Sequence, residues 1–158
     1  MKVYNALLIG SVLGTISMPT VMADMYNNVD LGTDNTVVAN TSANVAVGNM
    51  NTTDIWGIAV GSNNTAKLGT IAVGRDNTGD DNQVIIGTNN TATGPRHRQS
   101  SGTGNFVAGD HNVVEGDSSI VIGRYNSAIS EYALQPITII GNTSTAKSNE
   151  IGRASCRE

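Results

Sequence analysis

The strongest constraint on this chain is a repeat. Residues 57–65 read GIAVGSNNT, and thirteen residues further on 70–78 read TIAVGRDNT. Taking the glycine after each apolar triplet as the marker, copies end at Gly48, Gly61, Gly74 and Gly87, at three successive spacings of 13. Looser copies end at Gly109, Gly123 and Gly141, at spacings of 22, 14 and 18, and a degenerate VDLG ends at Gly32. The third residue past the glycine is Asn35, Asn51, Asn64, Asn77, Asn90, Asn112 and Asn126, with Ser144 in the last copy. Thr or Ser usually follows. A period this short and regular decides the architecture before any single residue is interpreted.

Composition limits what the repeat can build. Only 4% of residues are aromatic and 14% charged, against 39% hydrophobic, which is too little bulk for a conventional globular core. The β-branched triplets recur too regularly for a disordered polar linker. Gly and Asn return within every few turns, so no 3.6-residue apolar stripe survives and a helical reading fails. Short strands joined by tight turns remain. An extended residue advances about 3.3 Å, so a 13-residue repeat goes out and back once, as one coil of a β-solenoid. Glycine supplies a positive φ at one corner, and stacked asparagines can satisfy one another as an amide ladder.

With period two, Ile71 and Val73 point to one face and Ala72 to the other, as Ile58, Val60 and Ala59 do one coil earlier. Both faces are apolar, which predicts a strand buried once in its own coil and once against something else. The small alanine face suits a close, identical neighbour. Ala46, Ala59 and Ala72 are therefore expected at the interface of a homo-oligomer.

The segments NVAVGNMNT, GIAVGSNNT, TIAVGRDNT and SIVIGRYNS resemble the head repeats of trimeric autotransporter adhesins, the YadA-like surface proteins of Gram-negative bacteria. The resemblance covers roughly 32–147. It implies an all-β fold, a left-handed parallel β-roll (a β-solenoid) of 13–14-residue coils, assembled as a homotrimer with Ala46, Ala59 and Ala72 towards the axis. It also implies cell adhesion and virulence, with attachment to a host extracellular matrix protein, collagen-like, or to a glycan or other cells. The family's head motif usually has Ser two or three residues after the glycine, where this chain has Asn followed by Thr or Ser. Residues 118–127, SSIVIGRYNS, come nearest to the family motif associated with collagen binding, which makes Arg124 and Tyr125 candidate ligand-binding residues.

The first residues read as an export signal. Residues 1–23 carry Lys2, an apolar stretch over 6–16, a break at Pro19 and a small-residue cleavage site, Val21-x-Ala23, before Asp24. Residues 24–47 form an N-terminal segment leading into the roll, and 48–150 form the head repeats, with insertions at 92–105 and 128–136. The last eight residues, IGRASCRE at 151–158, resemble an in-frame translation of a common sequencing adapter, so Cys156 is expected not to be native. On that reading the gene continues past Glu150, and the family expects a stalk and a trimeric outer-membrane barrel there. Removing Lys2 with the leader, and Arg153, Arg157 and Glu158 with the tail, takes nine basic residues to six and thirteen acidic residues to twelve. An acidic fragment disfavours nucleic acid as a partner. The expected location is the bacterial outer membrane at the cell surface, with membrane contact only through a missing C-terminal anchor.

The insertions should loop out on one face, where binding often resides. Arg96, His97 and Arg98 form the basic cluster of the first, and Arg96 and Arg98 are candidates for an acidic glycan or protein. Tyr132 and Leu134 of the second are candidates to pack over a coil edge. Trp56, directly before a repeat strand, reads as a cap or interface residue, with surface recognition as the alternative. Enzyme chemistry finds no support: His97 and His111 have no partner at ligand spacing, and no catalytic residue, metal site or cofactor is expected. Residues 76–82, DNTGDDN, gather Asp76, Asp80 and Asp81 but lack the pattern of known calcium loops. Asn-x-Thr sequons at Asn51, Asn63 and Asn89 are by-products of the repeat. Two functions compete: a surface adhesin head, and a structural spacer or phage-type fibre with no ligand of its own. Export favours the first. An ice-binding face would need a threonine lattice, whereas the second residue past the glycine varies.

Overall fold

The computed structural model describes residues 22–23, 28–38, 43–94, 104–130 and 136–147. The rest of the leader, the cluster at Arg96, His97 and Arg98, the pair Tyr132 and Leu134, and the tail with Cys156 lie outside the described residues.

Among the described residues seventeen strands follow in chain order: β1 Met22–Ala23, β2 Val29–Thr33, β3 Thr36–Val37, β4 Val45–Asn49, β5 Thr52–Asp54, β6 Ile58–Ser62, β7 Thr65–Lys67, β8 Ile71–Arg75, β9 Thr78–Gly79, β10 Val84–Thr88, β11 Thr91–Thr93, β12 Phe106–Asp110, β13 Val113–Glu115, β14 Ile120–Arg124, β15 Ser127–Ile129, β16 Thr138–Asn142 and β17 Thr145–Lys147. From β2 onward a five-residue strand alternates with one of two or three residues. The long strands stack in one sheet, capped by β1, and the short ones in another. Pairing is parallel throughout except where β1 meets β2. The molecule is thus all-β, a parallel β-solenoid of about seven turns with coils of about 14 residues.

Register is set at the corner that follows each long strand. The glycines form one column, Gly48 beside Gly61, Gly61 beside Gly74 and Gly74 beside Gly87. Gly74 has φ +125, and a Cβ there would overlap the carbonyl oxygen of Gly87 in the next coil. No side chain fits that approach. Two residues later the backbone is left-handed in every coil, at Asp34, Met50, Asn63, Asp76, Asn89, His111, Tyr125 and Thr143, with φ between 53° and 56°. Asn and Asp accept that region readily, whereas Met50, His111, Tyr125 and Thr143 are held in it by the turn around them.

The next residue is the buried asparagine. Asn77 donates its backbone N–H and its Nδ2 to Asn64 Oδ1, at 3.1 and 3.0 Å, and a second Nδ2 bond to the Gly87 carbonyl at 2.8 Å. Asn64 stands in the same relation to Asn51, Asn90 to Asn77, Asn112 to Asn90 and Asn126 to Asn112. Ser144 ends the column by donating its N–H to Asn126 Oδ1. One fully buried amide per coil is therefore satisfied on both sides, which is what makes its burial tolerable.

A second ladder runs along the other corner, through the residue before each apolar triplet. Asn44 N–H donates to Asn28 Oδ1, Gly57 N–H to Asn44 Oδ1, Gln83 N–H to Thr70 Oγ1, Asn105 N–H to Gln83 Oε1, Ser119 N–H to Asn105 Oδ1 and Ile137 N–H to Ser119 Oγ. Gly57 breaks it, having no side chain to continue. The types vary because any side-chain oxygen of suitable reach fills the place.

Between the ladders the interior is one residue wide from each sheet. Ala59, Ala72 and Ala66 make the core of the middle coils, while Ile85, Val107, Val121 and Ile139 face Ala92, Val114, Ala128 and Ala146 further along. This corrects the alanine assignment: Ala46, Ala59 and Ala72 have no exposed surface and lie inside their own coils, unavailable to another chain. In every triplet the central residue turns in, Ala46, Ala59 and Ala72 here and Ile85, Val107, Val121 and Ile139 further along, and the residues on either side of it turn out.

Two boundaries also move. The roll begins at β2, paired in register with β4, not after residue 47. There Asp30 occupies the place of the inward alanine, and Asn35 Nδ2 donates to its carboxylate at 2.8 Å. At the other end, Ala92 and Thr93, and Ala128 and Ile129, belong to β11 and β15 rather than to insertions. Each coil needs its second strand before the chain can leave the stack.

Asn77→Ala removes five side-chain bonds from a fully buried place, three donated by its Nδ2 and two accepted from Asn90 by its Oδ1, and leaves Asn64 Oδ1, the Gly87 carbonyl and the Asn90 amide short of partners. It is expected to lower unfolding free energy by about 2–4 kcal/mol, measured by urea denaturation, against less than ~0.5 kcal/mol for Thr78→Ala on the outer face.

Candidate functional site

The solenoid presents four surfaces, and the two corners differ in kind. At the glycine corner the count from Gly to Asn never varies. All length variation falls at the opposite corner, between a short strand and the next long one. There 39–42, 95–103 and 131–135 lie outside the described residues. The glycine corner cannot accept an insertion because the carbonyl overlap and the amide ladder both fix its path.

Arg124 ends β14 and is exposed, its N–H donating to Asn142 Oδ1 at 3.1 Å. Tyr125 follows in the left-handed place and is 57% exposed. Its ring stacks on that of His111, one coil earlier, with centroids 4.9 Å apart and an angle of 24°. The His111 Nδ1–H donates in turn to Asp110 Oδ1 at 2.7 Å. Asp110 and Arg124 are partners across β12 and β14. The sequence reading placed Arg124 and Tyr125 together; it missed Asp110 and His111, which lie 14 residues back and meet them only through the coil step. The result is an exposed corner with a guanidinium, two stacked rings and a carboxylate, suited to a shallow, wet contact. Arg96 and Arg98, the other candidates, lie outside the described residues.

The outer face of the long-strand sheet is apolar along its length. Ile58, Ile71, Val84, Phe106 and Ile120 form one column, and Val60, Val73, Ile86, Ala108 and Ile122 the other. Ile86, Phe106, Ile120, Ile122 and Ile140 are exposed large hydrophobics. The short-strand sheet instead shows Thr36, Thr52, Thr65, Thr78 and Thr91 in register. This threonine column lies one residue past the asparagine, not where the sequence reading looked for it. Beside it Asp54 pairs in register with Lys67, and charged groups keep their own water, which argues against a match to an ice lattice.

The acidic stretch does not gather. Asp76 sits at the glycine corner, beside Arg75 at 3.4 Å and accepting from Asn63 Nδ2 at 2.7 Å, while Asp80 and Asp81 lie at the opposite corner. Among the described residues no group of three His, Cys, Asp or Glu could hold a metal ion, and no helix is long and apolar enough to cross a membrane. In comparison with known proteins, the chain matches no protein-family model, no curated protein and no solved structure.

Tyr125 contributes a ring stack but occupies a left-handed turn that glycine adopts without strain. Tyr125→Gly is expected to leave unfolding free energy unchanged or raise it by about 0.5–1 kcal/mol. A loss of 2 kcal/mol or more in a urea melt would make the ring a structural element instead of a displayed one.

Proposed function

We propose that this chain is the head of a YadA-like trimeric autotransporter adhesin, exported and displayed at the bacterial outer membrane, where it attaches the cell to host extracellular matrix or to other cells. The observation that carries the reading is the outward apolar face. Two columns of mostly β-branched side chains run along eight parallel strands, a length of about 34 Å. At roughly two side chains wide, that patch is on the order of 400 Å², the size at which exposed apolar surface marks association. A straight, self-similar strip is best covered by an identical strip, and closed rotational symmetry lets three copies do so about one axis. The repeat sequence and the parallel solenoid are compatible with the same family.

In such an assembly the glycine corner repeats the Asp110, His111, Arg124 and Tyr125 group three times, and weak contacts become strong by multiplication. A planar cation beside an amphipathic ring suits a protein such as collagen, which offers carbonyls and ring faces on a narrow rod.

Sedimentation of the chain over a dilution series is expected to show a trimer. Val73→Asp, which places three carboxylates on the apolar face, is expected to dissociate it, losing several kcal/mol of association. A wild-type chain that stays monomeric and folded at all concentrations would overturn the reading. Binding of the trimer to immobilised collagen or another matrix protein is expected to fall at least tenfold, about 1.4 kcal/mol, in Arg124→Ala and Tyr125→Ala without loss of trimer. A trimer that binds no matrix protein or cell would instead be a spacer.

A further inference from the structure

The corner that carries all the length variation also carries an unusual display of the chain's single tryptophan. Its two central turn places require left-handed backbone. Leu68 and Gly69 occupy them with φ 47° and 78°, and Asp81 and Asn82 with 73° and 62°. One coil earlier the same places hold Ile55 and Trp56, at 44° and 61°. A β-branched residue followed by the bulkiest side chain is the least favourable occupant of such a pair, for which Asn-Gly is the ordinary choice. Packing does not explain the choice, since Trp56 is 64% exposed. A strained turn that holds an aromatic ring out to solvent points to recognition.

What surrounds the ring gives the class of ligand. The coils stack so that Gly69 lies next to Trp56 and Asn82 next to Gly69, as the bonds from Gly69 N–H to the Ile55 carbonyl and from Asn82 N–H to the Leu68 carbonyl require. Gly69 contributes no side chain there. Asn82 is exposed and reaches back over Gly69, its Oδ1 near where a Cβ on Gly69 would stand. At about 4.8 Å per coil, Gly69 and the amide above it lie about one step from the Trp56 backbone. A ring stacked on the exposed indole thus has the Asn82 amide within reach of its rim.

We propose that Trp56, Gly69 and Asn82 form a shallow site for a neutral saccharide, the C–H face of a pyranose on the indole and its hydroxyls on the Asn82 amide. A peptide strand is a poorer fit, because the N–H groups of Leu68, Gly69 and Asn82 are already bonded to the preceding coil and leave no free edge. An anionic sugar is disfavoured by Asp54, Asp80 and Asp81 at the same corner, against Lys67 alone among its described residues. The site goes beyond the matrix-binding reading, uses different residues and needs no trimer.

Trp56 is the only tryptophan, so the intrinsic fluorescence of the full chain reports on this place directly. Titration with neutral oligosaccharides, lactose and cellobiose among them, is expected to shift and change the emission at millimolar concentrations, with little dependence on salt. Glycan-array binding is expected to disappear in Trp56→Ala and to weaken at least fivefold in Asn82→Ala. Replacing Ile55 by Asn together with Trp56 by Gly is expected to abolish binding while raising the melting temperature by a few degrees, which separates loss of the site from loss of the fold. Three results would overturn the proposal: no change with any neutral saccharide, a response confined to sialylated or sulfated sugars, or an emission shift on dilution alone that places Trp56 between copies of the chain.

Discussion

Every coil of this protein is tied to the next by the same three groups: a glycine whose missing side chain lets a carbonyl approach, a left-handed residue, and a buried asparagine bonded both ways. The glycine sets how near the coils come, and the asparagine sets where they stop. Asn64, Asn77 and Asn90 are each completely buried, yet the polar atoms of each amide find partners in a neighbouring coil or its own turn. Such a column is all or none, since removing one amide orphans groups on both sides. The stack holds with an interior as slight as Ala59, Ala66 and Ala72, where the second ladder is broken at Gly57, because the amide column at the glycine corner, and not apolar volume alone, fixes the coils.

That slight interior dictates the outside. The central residue of each triplet turns inward, whether Ala59 and Ala72 or Ile85, Val107, Val121 and Ile139, and the first and third, mostly Ile and Val, turn outward. Apolar surface that an ordinary β-sandwich would hide between its sheets is displaced to an outer face, as two columns. The same geometry that lets the coil fold thereby leaves an apolar outer face.

The corners divide structural and presenting roles. The glycine corner holds a constant path but leaves two outward places per coil open to any side chain, which is how Arg124 and Tyr125 arise in a turn whose backbone equals that of Arg75 and Asp76. The opposite corner needs only a side-chain oxygen before each long strand, a loose demand that Asn, Thr, Gln and Ser all meet. It tolerates both inserted chain and an off-pattern pair such as Ile55 and Trp56.

The sequence by itself determined the period, the strand before each glycine, the amide column and the all-β solenoid, because each depends on residues within one repeat and on backbone limits common to all chains. It also placed Arg124 beside Tyr125, which are neighbours along the chain. It left open which face of the triplet is the inside: the alternation of Ile71, Ala72 and Val73 is the same whichever way it points, and only the closed coil shows the central residue to be the inner one. The second ladder was equally hidden, since Asn44, Thr70, Gln83 and Ser119 share an oxygen but no residue type. The stack of His111 on Tyr125, and the reach of Asn82 over Gly69 beside Trp56, join residues 13 or 14 apart per step. Such contacts exist only once successive coils lie in register, and register is a property of the tertiary structure.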